Sequence, residues 1–164
     1  MIVTLGGDPG GTAGFLLAGW NQGERKAVFA RAFQCDGGST DALLEWILRD
    51  NLRAPGQRNR ITAAQFEAFD SRPRPGGLHG ASPTAIQVQI DDLRSACEQA
   101  GVPVIVRPVA DVKRWAGDER LKRAGLLDIV SPAAMRHAKS AAWHALYCAV
   151  HDCGLPDPLS RRTA

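Results

Sequence analysis

Ile2-Val3-Thr4-Leu5-Gly6-Gly7-Asp8-Pro9-Gly10-Gly11-Thr12-Ala13-Gly14-Phe15-Leu16-Leu17-Ala18-Gly19-Trp20 is the stretch on which the fold turns. An apolar run from Ile2 to Gly7 meets a Gly/Pro-rich turn from Asp8 to Gly14, and a second apolar run follows from Phe15 to Trp20. Short apolar runs bounded by turn residues predict the two strands of a hairpin. A third strand, expected around Ala27 to Phe33, makes the beginning of the chain an antiparallel meander. Asp8 stands at the end of the first strand among glycines, which clear side chains from around one carboxylate and let a bulky phosphate and its cation approach. Asp, Pro and Gly also make plain hairpin turns, so the meaning of Asp8 depends on what the rest of the chain brings to it.

Working outward, Ser39 or Thr40 is expected to cap a helix in which Leu43, Leu44, Ile47 and Leu48 recur at helical spacing, with Trp46 flanking the stripe. A polar segment, Asn51 to Arg60, leads to a fourth strand, Ile61 to Phe66, and Glu67 closes it, an acid where an apolar strand would otherwise finish. The loop from Asp70 to Ala81 is too rich in Pro, Gly and Arg for regular structure. Ser82-Pro83 is a strong helix start, and Ile86, Ile90, Leu93 and Cys97 mark an apolar face that ends before Gly101. Val102 to Val106 then reads as a strand, so that strand, helix and strand form a parallel crossover. A short helical patch near Glu119 to Ala124 precedes a last helix from about Ala133 to His151. Ala134, Ala138, Ala141, Ala145 and Ala149 line one side of it, small enough for close packing on a sheet. This order predicts an α/β domain with a mixed five-stranded sheet, its first three strands antiparallel, flanked by helices. Residues 1–154 are expected to be one domain and 155–164 a flexible C-terminal tail.

With 164 residues, ordinary aliphatic content and a charged fraction of 23%, the chain is neither a disordered segment nor a coiled coil. No long apolar segment predicts a membrane span or a secretory leader, and a cytoplasmic location is expected. Cys35, Cys97, Cys148 and Cys153 show no paired Cys-x-x-Cys spacing, which argues for reduced thiols over a zinc ribbon or disulfide framework. The net charge is only +3, but its distribution is uneven. Arg107, Lys113, Arg114, Arg120, Lys122 and Arg123 crowd one stretch, while Arg72, Arg74 and His79 lie in the Pro/Gly-rich loop. Phosphate contacts and a solvated basic face both fit such clusters.

In the expected topology the first and fourth strands are neighbours, so Asp8 and Glu67 converge at one edge of the sheet. Paired acids there can hold Mg²⁺ for phosphodiester hydrolysis. His137 and Ser140, three residues apart on the last helix, share a face.

Spread over most of the chain, these segments resemble the RuvC-type Holliday-junction resolvases of the ribonuclease-H-like superfamily, particularly the compact forms carried by bacteriophages of actinobacteria. Gly6-Gly7-Asp8-Pro9-Gly10 resembles the family's first motif, with Gly7 where a larger apolar residue is usual, and Phe66-Glu67 resembles the second. Asp111-Val112-Lys113, followed by Trp115 to Lys122, resembles the segment whose lysine approaches the scissile phosphate. Arg136-His137-Ala138-Lys139-Ser140-Ala141-Ala142 resembles the last motif, in which a helix supplies the remaining metal ligands.

The resemblance implies a ribonuclease-H-like fold and a homodimeric, Mg²⁺-dependent endonuclease, with Mn²⁺ as substitute, that cuts four-way junctions by a two-metal route. It implies metal binding by Asp8, Glu67 and His137, a phosphate-side role for Lys113, and DNA contacts from Arg72, Arg74, His79, Lys113, Arg114, Lys122 and Arg123. Ser140 departs from the pattern, occupying a ligand position where the family has aspartate. A hydroxyl is a poor magnesium ligand, and loss of one carboxylate predicts weak metal binding and slow hydrolysis. The alternative reading is therefore a branched-DNA-binding protein with the same fold and a decayed metal site. Asp8-Pro9-Gly10-Gly11-Thr12 also resembles the phosphate loop of actin-like sugar kinases, but those need two such domains and this chain has room for one.

Overall fold

The hairpin is the centre of the sheet. In the computed structural model, which describes residues 1–53, 60–68 and 82–160, β1 (Ile2–Asp8) pairs antiparallel with β2 (Thr12–Trp20), which pairs antiparallel with β3 (Phe29–Asp36). On the other side of β1 lies β4 (Ala63–Glu67), parallel to it, and then β5 (Val104–Arg107), parallel to β4. The sheet order is β3-β2-β1-β4-β5, the mixed five-stranded arrangement with an antiparallel beginning that the sequence predicts.

The two faces of the sheet are covered differently. Val3, Leu5, Phe15, Ala64 and Phe66 pack against Leu44 and Leu48 of α1 (Thr40–Arg53) and Leu93 and Cys97 of α2 (Pro83–Gln99). Leu5, Phe15, Phe66 and Leu93 are all fully enclosed there, and burying each contributes about 1.5–3 kcal/mol relative to exposure. The opposite face, with Leu16, Ala18 and Trp20, packs on Ala138, Ala141, Ala142, Ala145 and Ala149. All but Ala149 of these alanines lie in α6 (Arg136–Tyr147), which continues into a π-helical turn, Cys148–Asp152, containing Ala149. Between β5 and α6 run three short helices, α3 (Val109–Ala116), α4 (Asp118–Arg123) and α5 (Leu127–Val130), with Val112, Ala116, Leu121 and Val130 turned inward.

Several local expectations are corrected. A short 3₁₀ turn, Gly37–Ser39, capped by the Asp36 carboxylate, which accepts from the Gly38 amide at 3.0 Å, precedes α1, and Thr40 at the start of α1 donates its Oγ1 to the Gly37 carbonyl at 2.9 Å. The third strand is displaced to Phe29–Asp36 because its pairing follows the register of β2, with Phe15 opposite Phe33. Ala134 is exposed, since the α-helical winding begins only at Arg136. Residues 155–160, assigned from sequence to a loose tail, hold contacts with the body: Leu155 is buried, and Asp157 takes a forked pair of bonds from Arg120 Nε and Nη2, both at 3.0 Å. Burial alone would raise the Asp157 pKa, yet the Arg120 bonds and the Leu159 amide bring it below the ordinary carboxylate range. The loop bearing Arg72, Arg74 and His79 lies outside the described residues.

Candidate active site

The site is built by the register of α6 on the sheet. Along β1, Thr4 Oγ1 donates to the Ala145 carbonyl at 3.0 Å, Gly6 lies under the Ala141 carbonyl, and Asp8 meets His137. Each step of two along the strand matches a step of four along the helix, because two strand residues advance about 6.6 Å and four helical residues about 6 Å. The neighbouring strand repeats the pattern, with Gln65 against His144 and Glu67 against Ser140. A Cβ at Gly6 would land on the Ala141 carbonyl oxygen, and one at Gly14 on the backbone of His137 and Ala138. These glycines are what allow α6 to lie directly on the sheet backbone.

At the open end of this contact the two acids stand side by side. Gly7 pairs with Phe66 across the parallel strands, so the next residues, Asp8 and Glu67, finish adjacent strands. His137 Nδ1 lies 2.9 Å from Asp8 Oδ2, and Ser140 Oγ donates to Glu67 Oε2 at 2.8 Å. Arg136 Nε donates to His137 Nε2 at 3.2 Å, which leaves the ring proton on Nδ1, directed at Asp8. At Gly7 the Phe66 ring fills the space of the missing side chain, 2.5 Å from an added Cβ.

The start of α6 has no side-chain cap of its own. Gln34 on β3 supplies it: its Oε1 accepts from the His137 amide at 3.1 Å and its Nε2 donates to the Ala134 carbonyl at 2.6 Å. His137 is therefore held through its backbone by β3 and through its ring by β1.

Deeper along the same stripe, His144 is wholly buried, with Nδ1 3.0 Å from Gln65 Nε2 and Nε2 3.9 Å from Glu67 Oε2. Burial first, and the Arg107 charge second, push its pKa down to about 3, so the ring is uncharged. Arg107 itself sits opposite Glu67 in the β4–β5 register and is bonded to Asp152 at 2.7 Å.

The corner holds two carboxylates, one imidazole and one hydroxyl, of which the carboxylates and the imidazole are of the kinds that ligate divalent cations. A second cation would lack the carboxylate that Ser140 does not provide. Among the described residues no three His, Cys, Asp or Glu side chains converge as a metal centre; the four groups are tied in two pairs, Asp8 with His137 and Glu67 with Ser140.

The basic residues have different surroundings. Lys113, exposed on α3, places its Nζ 5.1 Å from the centroid of the Trp143 ring on α6, one turn beyond Ser140. Arg114 pairs loosely with Asp111 at 3.4 Å and Arg123 with Glu119 at 3.1 Å, both on exposed faces, and Lys122 is exposed. Arg120 is occupied with Asp157, with the Trp115 carbonyl at 2.7 Å and with the Trp115 ring.

Sequence reasoning overlooked Gln34, Gln65 and His144. The signal for His144 was its spacing, four residues after Ser140 and seven after His137 on one stripe; for the two glutamines no local signal existed.

No protein-family model matches the chain, and no curated protein matches it in sequence. Solved structures do match. Thermus thermophilus RuvC in complex with Holliday junction substrate is 19% identical, with a TM-score of 0.63 over 97% of this chain and 100% of that one. The Thermus thermophilus RuvC structure gives 19% identity and a TM-score of 0.61 over 96% of this chain and 100% of that one. This chain has a RuvC-like fold, the ribonuclease-H-like arrangement of a mixed sheet flanked by helices.

Proposed function

We propose, taking the RuvC-like fold as premise, that this protein is a divalent-cation-dependent, structure-selective endonuclease that resolves four-way or other branched DNA in the cytoplasm as a homodimer. One observation carries the reading: Asp8 and Glu67 end adjacent parallel strands, and each is hydrogen-bonded to the same turn of α6. Asp8, Glu67 and His137 would hold Mg²⁺ or Mn²⁺. Bound there, the cation would supply an acidified water and neutralise charge on the phosphate. Ser140 orients Glu67 by donating its hydroxyl proton. Lys113 would face the scissile phosphate, and Arg114, Lys122 and Arg123, with Arg72, Arg74 and His79 of the loop, would bind the DNA backbone. A homodimer suits a four-way junction because symmetric strands need symmetric sites.

A second reading keeps the binding and removes the cutting. It is favoured by Ser140, whose proton points at Glu67 at 2.8 Å in place of a second carboxylate. The test is cleavage and binding of a four-way junction beside a linear duplex, with Mg²⁺ or Mn²⁺ and Asp8→Asn as control. Junction-selective nicking, abolished by Asp8→Asn, is the expected result. Tight binding without nicking, with nicking gained by Ser140→Asp, favours the second reading. Neither binding nor cutting refutes both.

A further inference from the structure

The geometry points to His144 as a positioning residue for Glu67: with its tautomer set by Gln65, its Nε2–H faces the carboxylate from inside the core and keeps it turned toward the open end of the site. This deepens the nuclease reading and rests on it only for the cation-binding arm of the test below.

The steps are local. His144 is 0% exposed, and its Nε2 has no hydrogen-bond partner among the described residues, while Glu67 Oε2 lies 3.9 Å away. A buried polar nitrogen left without a partner costs free energy, so its orientation toward one carboxylate calls for a reason. The Nδ1 contact with Gln65 Nε2 at 3.0 Å makes the ring an acceptor at Nδ1 and a donor at Nε2. The reverse tautomer would set a lone pair beside an anion in a low-dielectric setting. Glu67 Oε2 then has a donor from Ser140 on one side and the Nε2–H of His144 behind it. The two donors sit four residues apart on α6, opposite Glu67 and Gln65, which are two apart on β4.

Two substitutions separate positioning from packing. A glutamine amide nitrogen reaches the place of imidazole Nε2, whereas an asparagine amide reaches only that of Nδ1. His144→Gln therefore keeps the donor toward Glu67, and His144→Asn keeps only the Gln65 side. The probe is Mn²⁺ binding to the folded protein, followed by calorimetry, with thermal unfolding as a check on folding. Ligand-orienting groups around metal sites are worth about 10- to 100-fold in affinity, so His144→Asn is expected to weaken Mn²⁺ by about tenfold or more and His144→Gln to recover most of that loss. In parallel, ¹⁵N NMR of the unmodified protein is expected to show His144 protonated at Nε2, and Gln65→Leu to mix the tautomers. Equal Mn²⁺ affinity in the two His144 variants, whether both normal or both weak, overturns the inference, as does a proton on Nδ1. If the unmodified protein binds no Mn²⁺, the nuclease reading fails, and the tautomer measurement alone decides the role of His144.

Discussion

Ser140→Asp tests the site most severely, because it adds charge where the fold now has a neutral donor. Ser140 is 7% exposed and its Oγ lies 2.8 Å from Glu67 Oε2. An aspartate there sets a second carboxylate about 4 Å from the first, and two like charges at that separation repel by about 4 kcal/mol at an effective dielectric of 20. Sharing one proton relieves part of this, leaving a penalty of roughly 2–3 kcal/mol once the lost serine hydrogen bond is included. At about 2–4 °C per kcal/mol for a chain of this size, the variant should melt roughly 4–12 °C below the unmodified protein in EDTA. A divalent cation between the carboxylates reverses the sign, and at a hundred times its dissociation constant it contributes about 2.7 kcal/mol. The assay is thermal unfolding in EDTA and across a Mn²⁺ titration, with junction cleavage measured beside it. The variant should start lower, gain more from Mn²⁺, and cut at least about tenfold faster. Equal melting in EDTA together with an equal response to Mn²⁺ would mean that residue 140 does not face Glu67 in a shared cation site.

Three further outcomes are expected. Gly14→Ala forces a methyl into the backbone of His137 and Ala138; overpacking of this kind costs about 1–3 kcal/mol, and the lowered melting temperature should come with reduced cleavage because His137 shifts from Asp8. Acid stability should carry the signature of His144: the unfolded chain takes up its proton near 6.5 and the folded chain only near 3, so stability is full above this window and falls as pH drops through it, by up to about 1.4 kcal/mol per pH unit. Denaturant melts of His144→Gln should show a flatter slope than the unmodified protein between about pH 6.5 and about pH 4, and an identical slope would contradict burial of an uncharged ring. Lys113→Met should leave the melting temperature within about 1 °C, since the side chain is exposed, and slow junction cleavage by about tenfold or more if its charge faces the phosphate; unchanged cleavage would remove Lys113 from the site.

The parts of the fold that were legible in the sequence were those written in local chemistry. The Gly/Pro turn between two apolar runs gave the hairpin, and Ser82-Pro83 gave α2, whose Ser82 Oγ accepts from the Ala85 amide at 3.2 Å as a capping serine should. The alanine stripe announced close packing of α6, and Ala138, Ala141, Ala145 and Ala149 are all fully buried. α3 was not separated from its surroundings, because eight residues with only Val112 and Ala116 buried give too little period to read. Asp8 and Glu67 were legible because an acid at the end of an apolar strand conflicts with its surroundings. His144 was not: a histidine among alanines looks like core filling, and only the register against Gln65 and Glu67 gives it a direction. Arg120 shows the opposite error to which charge counting is prone, since a basic residue in a basic stretch turns out to be a staple for Asp157.

The matched contacts of α6 with β1 and β4 work as a vernier does. Two scales whose divisions differ by about a tenth coincide over only a few marks, and the mismatch of about 0.6 Å per mark amounts to nearly 2 Å after three. Here coincidence is spent on Asp8, Gly6 and Thr4, and the helix loosens into wider winding from Cys148 onward. Adding or deleting one residue within His137–Ala145 would turn the helix by about 100° and leave both acids facing the wrong side chains, whereas a change of length beyond Tyr147 would leave the coincident marks untouched.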